Sequence, residues 1–427
     1  MTTRRALAAA FALVLAGAAP AHADFAAGWR AYRAGDYAAA AKNWLPLAHQ
    51  GDLDAAYDVA ALYENGQGVA RDAARAVRWY TQAADRKFAP ARFRLGQIFE
   101  QGLGVPADPE KALEWYRRAA EQGFAEALFN LGVAYETGKI VAPDMNQAAN
   151  WYRLAAEQGL AQAQYNLGRL HASGEGVPKD LARAAEWYRR AAEAGFAPAQ
   201  NNLGFMYEKG IQLAKNGEQA AYWYRKAAEQ GFATAQTNLG ILLNFGMGVA
   251  RDYAAAARWY RAAALQGDGE AQAHLALLLA NGQGAPRDFV EAYAWLVVAA
   301  GNGYGETADA YRARLEQRLD AGQVAAAKAR ATALRSELAA AQRPAVRARP
   351  RETAAFGRTD LTAQRRLKAL GFYTGAVDGL VGPGTLAAIR AFQRQAKLRP
   401  DGRLTPELVA ALDAMLAERA AAIEPAP

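Results

Sequence analysis

Serine occurs in this sequence at Ser173 and Ser336, histidine at His22, His49, His171 and His274, and cysteine not at all. A hydrolytic serine needs a neighbouring base and a third group that orients that base. His171 and Ser173 stand two residues apart, near the end of a segment whose apolar residues fall at helical spacing. That separation turns them to different faces of a helix, so they form no relay. No two histidines have the spacing that clasps zinc from one helix face, and without thiols there is no cysteine nucleophile and no thiolate metal site. Glu121, Glu157, Glu193 and Glu229 recur every 36 residues. Glycoside hydrolysis uses paired carboxylates, but acids that return with a fixed period read as exposed helix-end charges. The residues specify no catalytic site, no metal centre and no cofactor.

A second polar ladder points to binding. Asn130, Asn166, Asn202 and Asn238 each precede a Leu-Gly pair. Their helical neighbours change from copy to copy: Val133, Arg169, Phe205 and Ile241 three positions on, then Thr137, Ser173, Lys209 and Phe245. A constant amide among variable neighbours suits a groove that reads an extended peptide. It equally suits asparagines that bond from one repeat to the next, and the sequence leaves both readings open.

The elements that position these residues follow from the period. Tryptophan recurs at Trp79, Trp115, Trp151, Trp187, Trp223, Trp259 and Trp295 without an insertion or deletion. Asp36, Asp72, Asp108, Asp144, Asp180, Asp252 and Asp288 share the step, with Asn216 on the missing rung. Each precedes an alanine-rich segment and reads as an N-cap accepting from free backbone N–H groups. Gly51, Gly123, Gly159, Gly195, Gly231, Gly267 and Gly303 end those helices, where positive φ is needed. Lys87 breaks that ladder, so its turn is expected to be strained or differently shaped. The Leu-Gly pairs from Leu95-Gly96 to Leu239-Gly240 mark a second helix, with glycine allowing a neighbour to approach. Turns such as Gly66-Gln67-Gly68-Val69 join the two helices, and they read as turns in preference to phosphate cradles. Ile140 and Gln212 replace the second turn glycine in two copies, which are expected to differ. The unit is a helical hairpin that buries its apolar face only by stacking. The Trp-Tyr pair is expected to be its core, one buried Trp hiding roughly 200 Å², on the order of 5 kcal/mol gross.

Around the array the chain changes character. Residues 1–23 combine Arg4 and Arg5, an apolar run and Ala21-His22-Ala23, the pattern of a removable secretory signal. The formal charge of +8 then falls by two as Arg4 and Arg5 leave, and the remaining positive balance suits acidic polymers or membrane surfaces more than nucleic acid for an exported chain. No later segment is long and apolar enough to span a bilayer. Residues 343–357 contain "RPAVRARPR", a basic linker. Beyond it, Leu361, Leu367 and Leu370 mark a short helix ended by Gly371. Pro383 opens a second helix with Leu386, Ile389 and Phe392, and Thr405-Pro406-Glu407 starts a third.

Segments such as "AEALFNLGVAYETGK" and "WYRLAAEQG" resemble Sel1-like repeats, relatives of the tetratricopeptide repeat, in seven copies from Leu53 to Tyr304. Asp24 to Asp52 look like an incomplete leading repeat, and "GETADAYRARLEQRLDAGQVAAAKARATALRSEL" resembles the helices that close such arrays. In related repeats the matching asparagine faces a concave groove. This resemblance implies a partner groove built on Asn130, Asn166, Asn202, Asn238, Arg169, Phe205, Lys209 and Phe245. The C-terminal stretch is similar to a peptidoglycan-binding module in Gln364, Leu367, Leu370-Gly371-Phe372-Tyr373, Asp378-Gly379, Gly382, Thr385, Phe392-Gln393 and Asp401-Gly402. Lys397 stands where that family carries glycine. Contacts to the wall polymer would fall on Tyr373, Arg390 and Arg394. Without cysteine, the transpeptidases that carry such modules are excluded.

The expected fold is all-α, an α-solenoid of helical-hairpin repeats followed by a small three-helix bundle. The expected divisions are a signal at 1–23, the repeats at 24–304 and closing helices at 305–342. The linker at 343–357, a peptidoglycan-binding-like domain at 358–418 and a tail at 419–427 complete them. The expected role is an exported, non-catalytic adaptor, periplasmic and wall-associated. It would bind an envelope protein or peptide through the repeats and peptidoglycan through the C-terminal domain. The alternative is a cell-wall hydrolase or amidase with an unrecognised site.

Overall fold

The computed structural model describes residues 25–342 and 383–398, together with 367, 370, 372, 408, 411, 412, 414 and 415. The signal segment, the linker, Tyr373, both Asp-Gly turns of the C-terminal module and the tail lie outside the described residues. All described elements are helices. A leading hairpin, α1 (Phe25–Arg33) and α2 (Tyr37–His49), precedes seven full ones. These are α3 (Leu53–Asn65) with α4 (Ala73–Asp85), α5 (Ala89–Gln101) with α6 (Pro109–Ala120), α7 (Ala125–Thr137) with α8 (Met145–Glu157), and α9 (Ala161–Ser173) with α10 (Leu181–Glu193). The series continues with α11 (Ala197–Lys209) and α12 (Gly217–Glu229), α13 (Ala233–Phe245) and α14 (Tyr253–Ala264), and α15 (Gly269–Asn281) and α16 (Phe289–Gly301). Then come α17 (Gly305–Glu316), α18 (Ala321–Gln342) and, in the C-terminal module, α19 (Pro383–Gln395). Two compact units divide the chain, residues 1–127 with 138–142 and residues 128–137 with 143–427.

The caps are where the ladders put them. The side chains of Asp36, Asp72, Asp108, Asp144, Asp180, Asn216, Asp252 and Asp288 each accept from backbone N–H groups in the first turn that follows. Lys87 keeps the turn of the glycines it replaces, at φ 63°, and so carries the steric cost of the left-handed region that glycine avoids. Gln212 does the same at φ 57°, whereas Ile140 does not enter that region, so the expected difference is confined to the third copy. The second turn glycine has a packing role as well. A Cβ at Gly176 would fall 2.1 Å from the Met145 carbonyl oxygen, and one at Gly284 2.2 Å from that of Tyr253. The turn is thus filled by the start of the preceding second helix, and no cradle for phosphate is left.

The core departs from expectation in one respect. Trp79, Trp115, Trp151, Trp187, Trp223 and Trp259 are half-buried, and of the seven periodic tryptophans only Trp295 is fully buried. The adjacent tyrosines Tyr80, Tyr116, Tyr152, Tyr188, Tyr224 and Tyr260 form the interior. The reason lies in the Leu-Gly pair. Cβ atoms built at Gly96, Gly132, Gly168, Gly204 and Gly240 would lie 2.5 to 2.9 Å from the ring of the tyrosine twenty residues on. The bare glycine backbone is the surface on which that ring lies. In the last copy Ala276 replaces the glycine and Leu296 the tyrosine, both buried.

Closing helix α18 buries Ala327, Ala331, Leu334 and Leu338. In the C-terminal module Leu367, Ile389, Phe392, Leu408 and Leu412 are fully buried together, with Phe372 edge-on to Phe392 at 5.3 Å. Pro383 opens α19 as the sequence implies, and Lys397 holds the expected glycine turn at φ 56°.

Candidate functional site

In the second, third and fifth full hairpins the first helix carries a glycine and, one turn later, a glutamate on the same face. The tyrosine of the partner helix crosses the glycine and reaches that residue with its hydroxyl. Tyr80 donates to Glu64 at 3.0 Å, Tyr116 to Glu100 at 2.6 Å, Tyr152 to Glu136 at 2.5 Å and Tyr224 to Glu208 at 2.8 Å. Ala60 takes the glycine's place in the first copy, and Ala172 and Asn244 take the glutamate's place in the fourth and sixth. Burial first, and then the hydrogen-bonded carboxylate, push the Tyr152 and Tyr224 phenols well above their ordinary value. This Gly-x-x-x-Glu spacing, sixteen residues before a tyrosine, is present in the sequence at Glu100, Glu136 and Glu208 and is the signal that locates the latch.

The next hairpin closes over the same carboxylates. Arg94 pairs with Glu64, and Arg169 pairs with Glu136 while lying 3.7 Å from Glu175. The asparagine ladder stands beside this row and is half-buried throughout. Against the larger rise caused by burial, the Asn166 amide lowers the Tyr152 phenol pKa and the Asn202 amide that of Tyr188. Asn238 donates to Asn201 of the preceding repeat at 3.0 Å. Asn238 thus bonds from one repeat to the preceding one, as in the second of the two readings left open by the sequence. Asn130 is half-buried at the same register.

Phe205 and Phe245 are different. They are 44% and 54% exposed, on α11 and α13, the first helices of successive hairpins. The Lys209 ammonium lies 5.6 Å over the Phe205 ring and pairs with Glu208. Ile241 adds a half-buried apolar residue between them in sequence register. Of the eight groove candidates, Asn238 and Arg169 are bonded within the array, while Phe205, Lys209 and Phe245 are presented outward.

On α19, Arg390 and Arg394 are exposed one turn apart, opposite in character to buried Ile389 and Phe392. Glu121, Glu157, Glu193 and Glu229 are exposed. Ser173 donates to the Leu170 carbonyl and accepts from the Glu175 N–H within a local turn. His171 is buried, its Nδ1 3.4 Å from the Pro178 carbonyl. These two contacts draw the side chains into local backbone and leave no serine–histidine relay. Among the described residues no group of three or more histidines or acids is placed to hold a metal ion, and no helix is long and apolar enough to cross a membrane.

Comparison with known families agrees with this architecture. The Sel1 repeat model matches seven consecutive segments, 53–88, 89–124, 125–160, 161–196, 197–232, 233–268 and 269–304. The model described as "Putative peptidoglycan binding domain" matches residues 361–412. The chain belongs to the Sel1 repeat family, and its repeats are followed by a domain of the peptidoglycan-binding type. Among solved structures it is similar to a Sel1 repeat protein from Oxalobacter formigenes at 29% identity, covering 69% of this chain and 88% of that one with a TM-score of 0.54. It is also similar, at 29% identity over 74% of this chain and 84% of the other with a TM-score of 0.38, to c5321, a protective antigen of uropathogenic Escherichia coli with an SLR fold. A search of curated proteins returned no match.

Proposed function

We propose that this protein is an exported, non-catalytic scaffold. The repeats hold an envelope protein or peptide on the outward residues of α11 and α13, and the C-terminal domain attaches the assembly to peptidoglycan. The observation that carries this reading is the joining, in one chain, of a Sel1 array presenting Phe205 and Phe245 to solvent and a peptidoglycan-binding-type domain. An exposed aromatic with a cation over its face suits an apolar side chain on an extended or helical peptide. Asn238 on α13, bonded to Asn201 on α11, helps fix the spacing of the two helices that present those aromatics. Residues 1–23 serve as the export signal and 343–357 as the spacer. Arg390 and Arg394, with Tyr373, supply the wall contacts.

The test uses the full chain in two assays. Phe205→Glu with Phe245→Glu should abolish capture of the partner from an envelope extract while leaving pelleting with purified sacculi intact. Arg390→Gln with Arg394→Gln should do the reverse. Loss of both activities in either variant, or of neither, would refute the division of labour.

A further inference from the structure

Helices α16, α17 and α18 enclose an open groove of about 390 Å³. Val297 and Ala331 give it an apolar floor, and its rim is basic. Lys328 and Arg335, both exposed, lie seven residues apart on one face of α18, so their Cα atoms are about 10 Å apart along the axis. Arg312 faces them from α17 and is paired with Asp309 at 3.1 Å. Arg335 gives one N–H to the Val297 carbonyl at 3.0 Å, which leaves most of its five-donor fork unspent. The Lys328 ammonium has no partner among the described residues. Arg330, also on α18, is by contrast held between Glu291 and Glu337. The carboxylate on the rim, Glu316, accepts the Tyr293 hydroxyl. The groove therefore has more positive than negative charge, with Lys328 and Arg335 both on its lining and neither paired with a carboxylate among the described residues.

We infer that this groove binds an acidic peptide segment of a protein partner, with carboxylates at alternate positions of an extended chain. Alternate side chains of an extended chain point the same way and are about 7 Å apart, a separation the flexible Lys328 and Arg335 side chains span. The residue between the two carboxylates meets Val297 and Ala331, which favours a small apolar side chain there. Glu316 on the opposite wall repels a third carboxylate and so fixes which side of the peptide is acidic. The groove uses none of the residues on α11 and α13, and the inference does not depend on what those helices bind.

The test titrates the full chain, at low ionic strength, into fluorophore-labelled acetyl-Ala-Glu-Ala-Glu-Ala-amide, with the Gln-for-Glu peptide as comparison. Saturable binding of the Glu peptide alone is expected, weakened about fivefold or more by Lys328→Gln or by Arg335→Gln, and weakened by added salt. Lys328→Glu reverses an exposed charge without touching the core and should abolish binding. Phe205→Glu with Phe245→Glu should leave it unchanged. Absence of saturable binding, equal binding of the Gln peptide, or indifference to Lys328→Glu overturns the inference. Preference for soluble peptidoglycan stem peptides over the Glu peptide overturns it too, by assigning the groove to the wall.

Discussion

Gln200, Gln236 and Gln272 are buried on their first helices, and each donates to the carbonyl eight residues earlier, that of Ala192, Ala228 and Ala264. Each also accepts from an amide thirty residues later, on Gln230, Gln266 and Asn302 at 2.7 to 3.0 Å. These glutamines bolt three successive helix ends together. Gln164 makes the first bond, to Ala156 at 3.2 Å, but its Oε1 is buried without a partner. The cause is visible in the register, since exposed Ala194 occupies the place of Gln230. Ala194→Gln should supply the missing donor and stabilise the protein by about 1 kcal/mol, read as a shift in the denaturant midpoint. The same substitution in a Gln164→Leu background should gain nothing, and an equal gain in both backgrounds would refute the assignment.

Within the hairpin, the glycine and tyrosine act as one device. Gly240 and Tyr260 isolate it, because Asn244 stands where four other copies have the glutamate. A Cβ at Gly240 would meet the Tyr260 ring at 2.6 Å. Gly240→Ala should therefore destabilise despite the gain in helix propensity of about 1 kcal/mol, since overpacking costs about 1–3 kcal/mol. With Tyr260→Leu, the pair that the chain already uses at Ala276 and Leu296, the penalty should vanish. Equilibrium unfolding of the four proteins measures that coupling, and additive effects would contradict it. The buried tyrosines also set a pH limit. Burial first, and then bonding to glutamate in Tyr152, Tyr224 and Tyr293, raises their phenol pKa values, with Tyr293 pushed up to about 12. A raised phenol pKa means that the folded state keeps protons the unfolded chain has begun to lose. This stability is complete below the ordinary phenol value of about 10 and falls as pH rises above it. Circular dichroism should show thermal midpoints dropping together from about pH 10 upward, and a flat profile to pH 12 would contradict the buried-hydroxyl arrangement. Helix number, caps and turn glycines were legible in the sequence because each depends on one residue type at a fixed place, and even Lys87 could be flagged by position alone. The interior partner of the Trp-Tyr pair was not. Choosing between two adjacent aromatics requires knowing that the ring must lie on Gly96 and its equivalents, a contact between helices that periodicity does not encode. For the same reason the asparagine ladder is legible in the sequence while the bond from Asn238 to Asn201 is not.

At the scale of the whole chain, a long array and a small bundle meet different demands. The array repeats one latch and varies what it presents, so substitutions on its outward residues should change partner choice with little effect on stability. The bundle has its own core around Phe392 and presents Arg390 and Arg394 outside it. His171 and Ser173 are bonded to local backbone, and among the described residues no group of three or more histidines or acids is placed to hold a metal ion. The most direct test is to mix the purified full chain with peptidoglycan sacculi and measure both the protein in the pellet and the sugar and peptide released to the supernatant. Saturable pelleting with no soluble fragments is the predicted result. Release of fragments, or a chain that stays in solution, would contradict the account.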